Sequence, residues 1–301
     1  MRRVWKSYGF VSAAIGLIVA PLLSPLGAQE AVVRMEGSDL INEGVVRVLE
    51  ARAEEMGRQL KTGFNGSRPA KDRLIAGAVD LAIIVERNEA EDWGREWASV
   101  TIGYFTSLVV AKNDLPLEQL SFEDLARIYG ANSAVASSRW GEFGAPGVWG
   151  SVPVSGYVTM PTEGLSQVLF EHYVLNDSAF KGSIERLEST DETIERMMDE
   201  GGGLAIVPWV PENVTKIKVL LIAAESDQVA FGPTPQNIHA GDYPLRAPVR
   251  LVFARSRAPE LLDWLRFWYS DEMAEALRAV GVVGLPVTAR NQQVFELELI
   301  R

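Results

Sequence analysis

Residues 100–113 read "VTIGYFTSLVVAKN". β-branched and aromatic residues dominate the run, and it reads as one long strand. A second run of the same kind, "APVRLVFAR", covers residues 247–255. It follows "FGPTPQNIHAGDYPLR", a loop stiffened by Pro233, Pro235 and Pro244. Both runs are suited to carrying the chain from one domain to another. Two such crossovers make the first domain discontinuous and leave a cleft where a ligand can be held between two lobes. On this reading domain one holds residues 29–104 and 246–301, and domain two holds 105–245.

Strands and helices alternate on either side of these runs. "AVVRMEG" reads as a strand, followed by a helix over residues 38–60 with Val45, Leu49, Ala53, Met56 and Leu60 on one face. "LKTGFNG" is a further extended run. "VDLAIIV" and "LAIVPW" read as buried strands, and "VPVSGYV" as another. Ser121 and Asp124 match a capping box ahead of "FEDLARIYG". "APELLDWLRFWYSDEMAEALRAVG" gives two helices, the second capped by Ser270 and ended near Gly281. Ser38, Ser67 and Thr162 each stand where a helix cap belongs, and Pro69 falls in a first turn. The alternation predicts an α/β fold with helices on both sheet faces.

Residues 1–28 differ from the rest. A basic start with Arg2, Arg3 and Lys6 leads into an apolar stretch that ends in small residues, the layout of a secretory signal cut after Ala28. Pro21 and Pro25 argue against a full membrane span, which needs about 20 apolar residues. There is no cysteine, so the chain has no disulfide framework, thiol nucleophile or thiolate metal site. With 29 basic against 40 acidic residues the net charge is −11, and losing the three N-terminal cations makes it more acidic still. That balance disfavours a nucleic-acid partner. It does not bar a small anion, which local amides can hold against an unfavourable overall field. His172 and His239 have no metal-binding spacing, Trp264 and Trp268 read as packing residues, and glycines 201–203 read as a helix stop. No nucleophile and base pair emerges, so no enzyme activity and no cofactor is expected.

"SLVVAKNDLPLEQLSFEDLARIYGANSAVASSRWGEFG" (107–144) resembles the hinge strand and following helix of phosphate-type periplasmic solute-binding proteins. "GPTPQNIHAGDYPLRAPVRLVF" (232–253) is similar to that family's return loop and second hinge strand. "GGGLAIVPW" (201–209) and "LLDWLRFWYSDEMAEALRAVGVVGLP" (261–286) are similar to its later segments. The resemblance runs from about residue 32 to 288. It implies a two-lobed type II periplasmic binding protein fold, each lobe a mixed sheet flanked by helices. It also implies a periplasmic protein that closes on phosphate or a similar oxyanion and delivers it to the permease of an ABC importer.

The same resemblance implies where the ligand would sit. "EGSDL" supplies Ser38 and Asp39, and "NGSRP" supplies Ser67 and Arg68. "MPTEGLS" falls on the family's arginine and serine-glycine-threonine turn, and supplies Thr162, Gly164 and Ser166. In that alignment Met160 stands where the arginine would be, and Val85 where an acidic or hydroxyl ligand would be, with Glu86 adjacent. Losing a charge-assisted hydrogen bond costs about 1.5–3 kcal/mol, which Arg68 is placed to offset in part. Residues 161–166 are expected at the cleft, with Glu163 turned to solvent. The alternative is a sensory or partner-binding protein that kept the fold and lost the phosphate site; Met160 and Val85 favour it.

Overall fold

The computed structural model describes residues 32–87, 92–133 and 139–300. The expected signal segment lies outside them. Residues 32–301 form a single unit by their internal packing.

Along the chain come β1 (Val33–Gly37), α1 (Glu43–Glu55), β2 (Leu60–Gly63), α2 (Ser67–Ile75), β3 (Leu81–Val85) and β4 (Trp97–Thr106). Then follow β5 (Leu108–Lys112), β6 (Gln119–Ser121), α3 (Phe122–Tyr129), β7 (Ser155–Thr159), α4 (Ser166–Tyr173), β8 (Glu185–Leu187), α5 (Thr190–Asp199) and β9 (Gly203–Val207). The rest is β10 (Ile217–Val219), β11 (Leu221–Ala223), α6 (Pro235–Ala240), β12 (Arg246–Ala254), α7 (Ala258–Phe267), α8 (Asp271–Ala279), β13 (Val283–Gly284) and α9 (Val287–Glu298).

Two main sheets result. One has six strands in the order β13-β4-β12-β3-β1-β2, and the other five in the order β10-β5-β9-β7-β8; β6 and β11 form a separate parallel pair. β1 is parallel to β2 and β3, and β12 runs antiparallel between β3 and β4. In the second sheet β7 is parallel to β8 and β9, while β5 is antiparallel to β9 and β10. The apolar runs behave as strands covered on both faces must: β9 is buried throughout, and β3 is buried except at Val85.

The run 100–113 is two strands. It breaks at Ser107, with β4 in the six-stranded sheet and β5 in the five-stranded one. Ser107 lies beside the second crossing, its N–H donating to Leu245 O at 3.0 Å. Tyr243 is fully buried and its hydroxyl donates to Ser107 O at 2.7 Å. The proline-bearing loop is also more ordered than the sequence suggests: α6 sits in it, capped by the Thr234 side chain and ended by Gly241 in the left-handed region.

On α1, Val45, Leu49 and Ala53 are buried, one turn apart in succession. Met56 is the C-cap and Leu60 already belongs to β2. Trp264 and Trp268 are buried, as their packing role requires. Tyr129 of α3, Phe170 of α4 and Phe180 pack against one another, Tyr129 edge-to-face on both phenylalanines and the phenylalanines stacked.

Candidate functional site

β1 and β3 run side by side and end at Gly37 and Val85. Ser38 continues the pairing, its N–H donating to Ile83 O at 2.9 Å, and it is buried. Its carbonyl accepts from Ile41 N–H at 3.1 Å, closing a tight turn. The strands approach closely here: a Cβ on Gly37 would stand 2.5 Å from Ile83 O. Gly37 O accepts from Gly66 N–H at 2.9 Å, which brings the start of α2 to the same place.

Two expected caps are corrected at this point. Ser38 caps no helix; α1 begins five residues later, where the Asn42 side chain accepts from Gly44 N–H at 2.7 Å. Ser67 is the first helical residue of α2 and not its cap. Gly66 is the cap, and Ser67 Oγ accepts from Val85 N–H at 3.0 Å. An α-helix leaves its first four amides unused. Of these, Gly66 is taken by Gly37 O and Pro69 has no N–H, so Ser67 and Arg68 supply the remaining donors.

Arg68 and Asp39 are exposed, and no ion pair holds either among the described residues. Glu86 is committed elsewhere. It is buried, pairs with Arg250 at 2.9 Å and accepts from Trp93 Nε1 at 2.9 Å.

The turn after β7 is built differently from its sequence reading. Residues Pro161–Glu163 form a 3-10 turn, and α4 starts at Ser166 behind Leu165 without a side-chain cap. Thr162 is therefore not a helix cap; its Oγ1 donates to Glu188 O at 3.0 Å. Glu163 does not turn to solvent: its Oε2 accepts from Thr190 N–H at 2.6 Å, at the start of α5. Gly164 has φ 154°, and a Cβ there would meet Pro208 Cβ at 3.1 Å. Ser166 is buried.

The seven expected residues thus fall into two groups. Ser38, Asp39, Ser67 and Arg68 gather at the ends of β1 and β3. Thr162, Gly164 and Ser166 lie in and just after the turn that follows β7, where Gly164 approaches Pro208 and Glu163 the start of α5. No hydrogen bond among the described residues joins the groups. Two contacts elsewhere link the sheets' helices and loops: Tyr173 Oη donates to Arg87 O at 2.6 Å, and a Cβ at Gly281 would meet the Trp209 ring at 3.1 Å. Sequence reasoning missed both, because each partner lies far away along the chain. His172 approaches Asp177 and His239 approaches Tyr104, both at 3.3 Å. Among the described residues no cluster of His, Asp and Glu could hold a metal.

No family model matches the chain, and no curated protein matches it. Solved structures do. PstS from Borrelia burgdorferi superposes with a TM-score of 0.70 at 14% identity, over 85% of this chain and 100% of that one. A protein described as a possible phosphate binding protein from Planctomyces limnophilus gives 0.69 at 19% identity, over 90% and 99%. This chain has the type II periplasmic binding protein fold. An ABC-type phosphate transport receptor from Vibrio cholerae shares it, with a TM-score of 0.62 at 14% identity over 84% and 100%. In the periplasmic binding protein fold, as in other open α/β sheets, the carboxyl ends of parallel strands are where ligands are met. Both residue groups stand at such ends, after β1 and β3 in one sheet and after β7 in the other. Among the described residues no helix is long and apolar enough to cross a membrane.

Proposed function

We propose that this protein is a periplasmic solute-binding protein that captures a small oxyanion, phosphate foremost, between two lobes. The lobes are residues 29–104 with 246–301, and residues 105–245, behind a signal segment over 1–28. One observation carries the reading: the two amides left over at the start of α2 stand beside Arg68, which no ion pair holds among the described residues. Amides at a helix start and a guanidinium suit an anion. The names of the structural neighbours point the same way.

In this reading Ser67 and Arg68 N–H groups donate to the ligand and Arg68 supplies charge. Asp39 accepts from a protonated oxygen, which favours phosphate over sulfate. Thr162, Gly164 and Ser166 form the facing wall. The protein binds and hands on its ligand to an ABC importer; it does not catalyse.

Calorimetry on protein stripped of bound ligand tests this with phosphate, sulfate and small carboxylates. Phosphate is expected to bind, and Arg68→Ala to weaken it by about 1.5–3 kcal/mol, roughly ten- to a hundredfold. Unchanged binding in that variant would place the charge elsewhere. Binding of none of these anions would leave the second reading, a sensory or partner-binding role. That reading is favoured by Glu163, whose carboxylate already occupies the start of α5, and by Met160, which brings no charge.

A further inference from the structure

The five-stranded sheet has a cavity at its other end. β7 leaves Thr159 toward the 160–166 turn. At its beginning, around Ser155 and Gly156, lies a cavity of about 310 Å³. That is the lower end of the size range of small-molecule sites. Gly156 is closely packed beside it: a Cβ there would stand 2.6 Å from Ile184 Cδ1 and 3.0 Å from Tyr129 Cε1. Ile128, Val154 and Ile184 give it an apolar wall.

The polar lining carries both signs of charge. Lys181 donates through Nζ to the Arg127 carbonyl, and no carboxylate lies within ion-pair distance of it among the described residues. Burial lowers its pKa, an effect that the Glu142 carboxylate opposes and Arg127 reinforces. Arg196 lies elsewhere in the lining, between two carboxylates, 3.1 Å from Glu185 and 3.3 Å from Glu200. One guanidinium between two carboxylates leaves a negative excess there. Tyr157 and Ser183 add hydroxyls. Burial, and then Glu200, raise the pKa of Tyr157, which keeps its phenol a neutral donor.

We propose that this cavity binds a small zwitterion of the α-amino-acid class with an aliphatic side chain. Its carboxylate is received by Lys181 and Ser183, its ammonium by Glu185 and Glu200, and its side chain by Ile128, Val154 and Ile184. A ligand with one charge of each sign meets an unpaired cation and a carboxylate excess together. A simple anion would be repelled by the second, and a simple amine by the first.

Three compounds of one carbon skeleton test it: L-leucine, 4-methylpentanoate without the ammonium, and 3-methylbutylamine without the carboxylate. Calorimetry gives the affinities, and amide chemical shifts give the location. L-Leucine is expected to shift residues 154–157 and 181–185 and to bind at least about tenfold more tightly than either analogue, as loss of one charged hydrogen bond implies. Lys181→Gln is expected to weaken L-leucine about tenfold, to tighten 3-methylbutylamine by relieving its repulsion, and to leave any phosphate titration unchanged. Equal affinities for the three compounds, no binding of L-leucine at millimolar concentration, or shifts confined to other residues would each overturn the proposal. The comparison among compounds needs only the unaltered protein, so a variant that fails to fold does not remove the test.

Discussion

At Glu163 a carboxylate meets the start of α5, and its Oε2 takes the Thr190 amide that the helix cannot use itself. Thr162 and Met160 bond to the same neighbouring segment, at Glu188 O and Leu187 O, so three successive contacts dock this turn. Two effects are present in the Glu163 contact, a hydrogen bond and a charge at a helix's positive end. Glu163→Gln keeps the first and should lose about 0.3–1 kcal/mol. Glu163→Ala loses both and should lose about 1–2 kcal/mol, like removal of a cap. Urea unfolding at constant m-value separates the two; equal stability of the alanine variant and the parent would show the contact to be idle. The sequence showed an acidic residue in a first turn, which usually faces water. Nothing within several residues of Glu163 signals α5, whose start arrives through β8.

Helix starts show how far local signals reach. Ser121 and Asp124 form the capping box their spacing implies, because every partner lies within four residues. Ser270 likewise caps α8. Ser38 and Ser67 carry the same chemistry but are claimed by β3: Ile83 O takes the Ser38 amide, and Val85 N–H takes the Ser67 hydroxyl. Those partners depend on parallel pairing of β1 with β3, which no local pattern contains. The α9 helix went unread for another reason. Only Leu297 in it is buried, so its apolar residues mark no clear face. One prediction belongs at this scale. Asn42→Ala should destabilise the protein by about 1 kcal/mol in urea, since its side chain caps α1. A variant as stable as the parent would mean that α1 does not depend on that cap.

At the scale of the whole molecule, three buried phenols among the described residues donate to main-chain carbonyls: Tyr129 to Leu204 in β9, Tyr243 to Ser107 between the sheets, and Tyr269 to Thr101 in β4. Burial raises the pKa of all three. Below about pH 10 they are protonated whether the chain is folded or not. Above it the unfolded chain releases protons that the folded one retains, so stability falls as pH rises. The expected slope is about 1.4 kcal/mol per pH unit for each phenol. Urea midpoints from pH 9 to 11 check this, and Tyr243→Phe should flatten the fall by one phenol's share. A flat profile would contradict it. At this scale the sequence was most legible. Long apolar and β-branched runs marked β3, β4, β5, β9 and β12, since strands covered on both faces leave little choice of residue. The break at Ser107 was hidden because the residues on either side have the same character.

The place of β12 sets an order of assembly. It lies between β4 and β3, yet the chain reaches it only after every strand of the five-stranded sheet. A chain emerging from the ribosome amino end first can therefore complete the five-stranded sheet while the six-stranded one still has an empty central slot. Until residue 254 appears, β3 and β4 face that slot with unpaired main-chain groups, the kind of edge that recruits foreign strands. A fragment ending at Ala240 should resist protease over residues 108–219 and be cut within 33–106, whereas the full chain protects both. Equal protection in the fragment would show that β3 and β4 can close without their late partner.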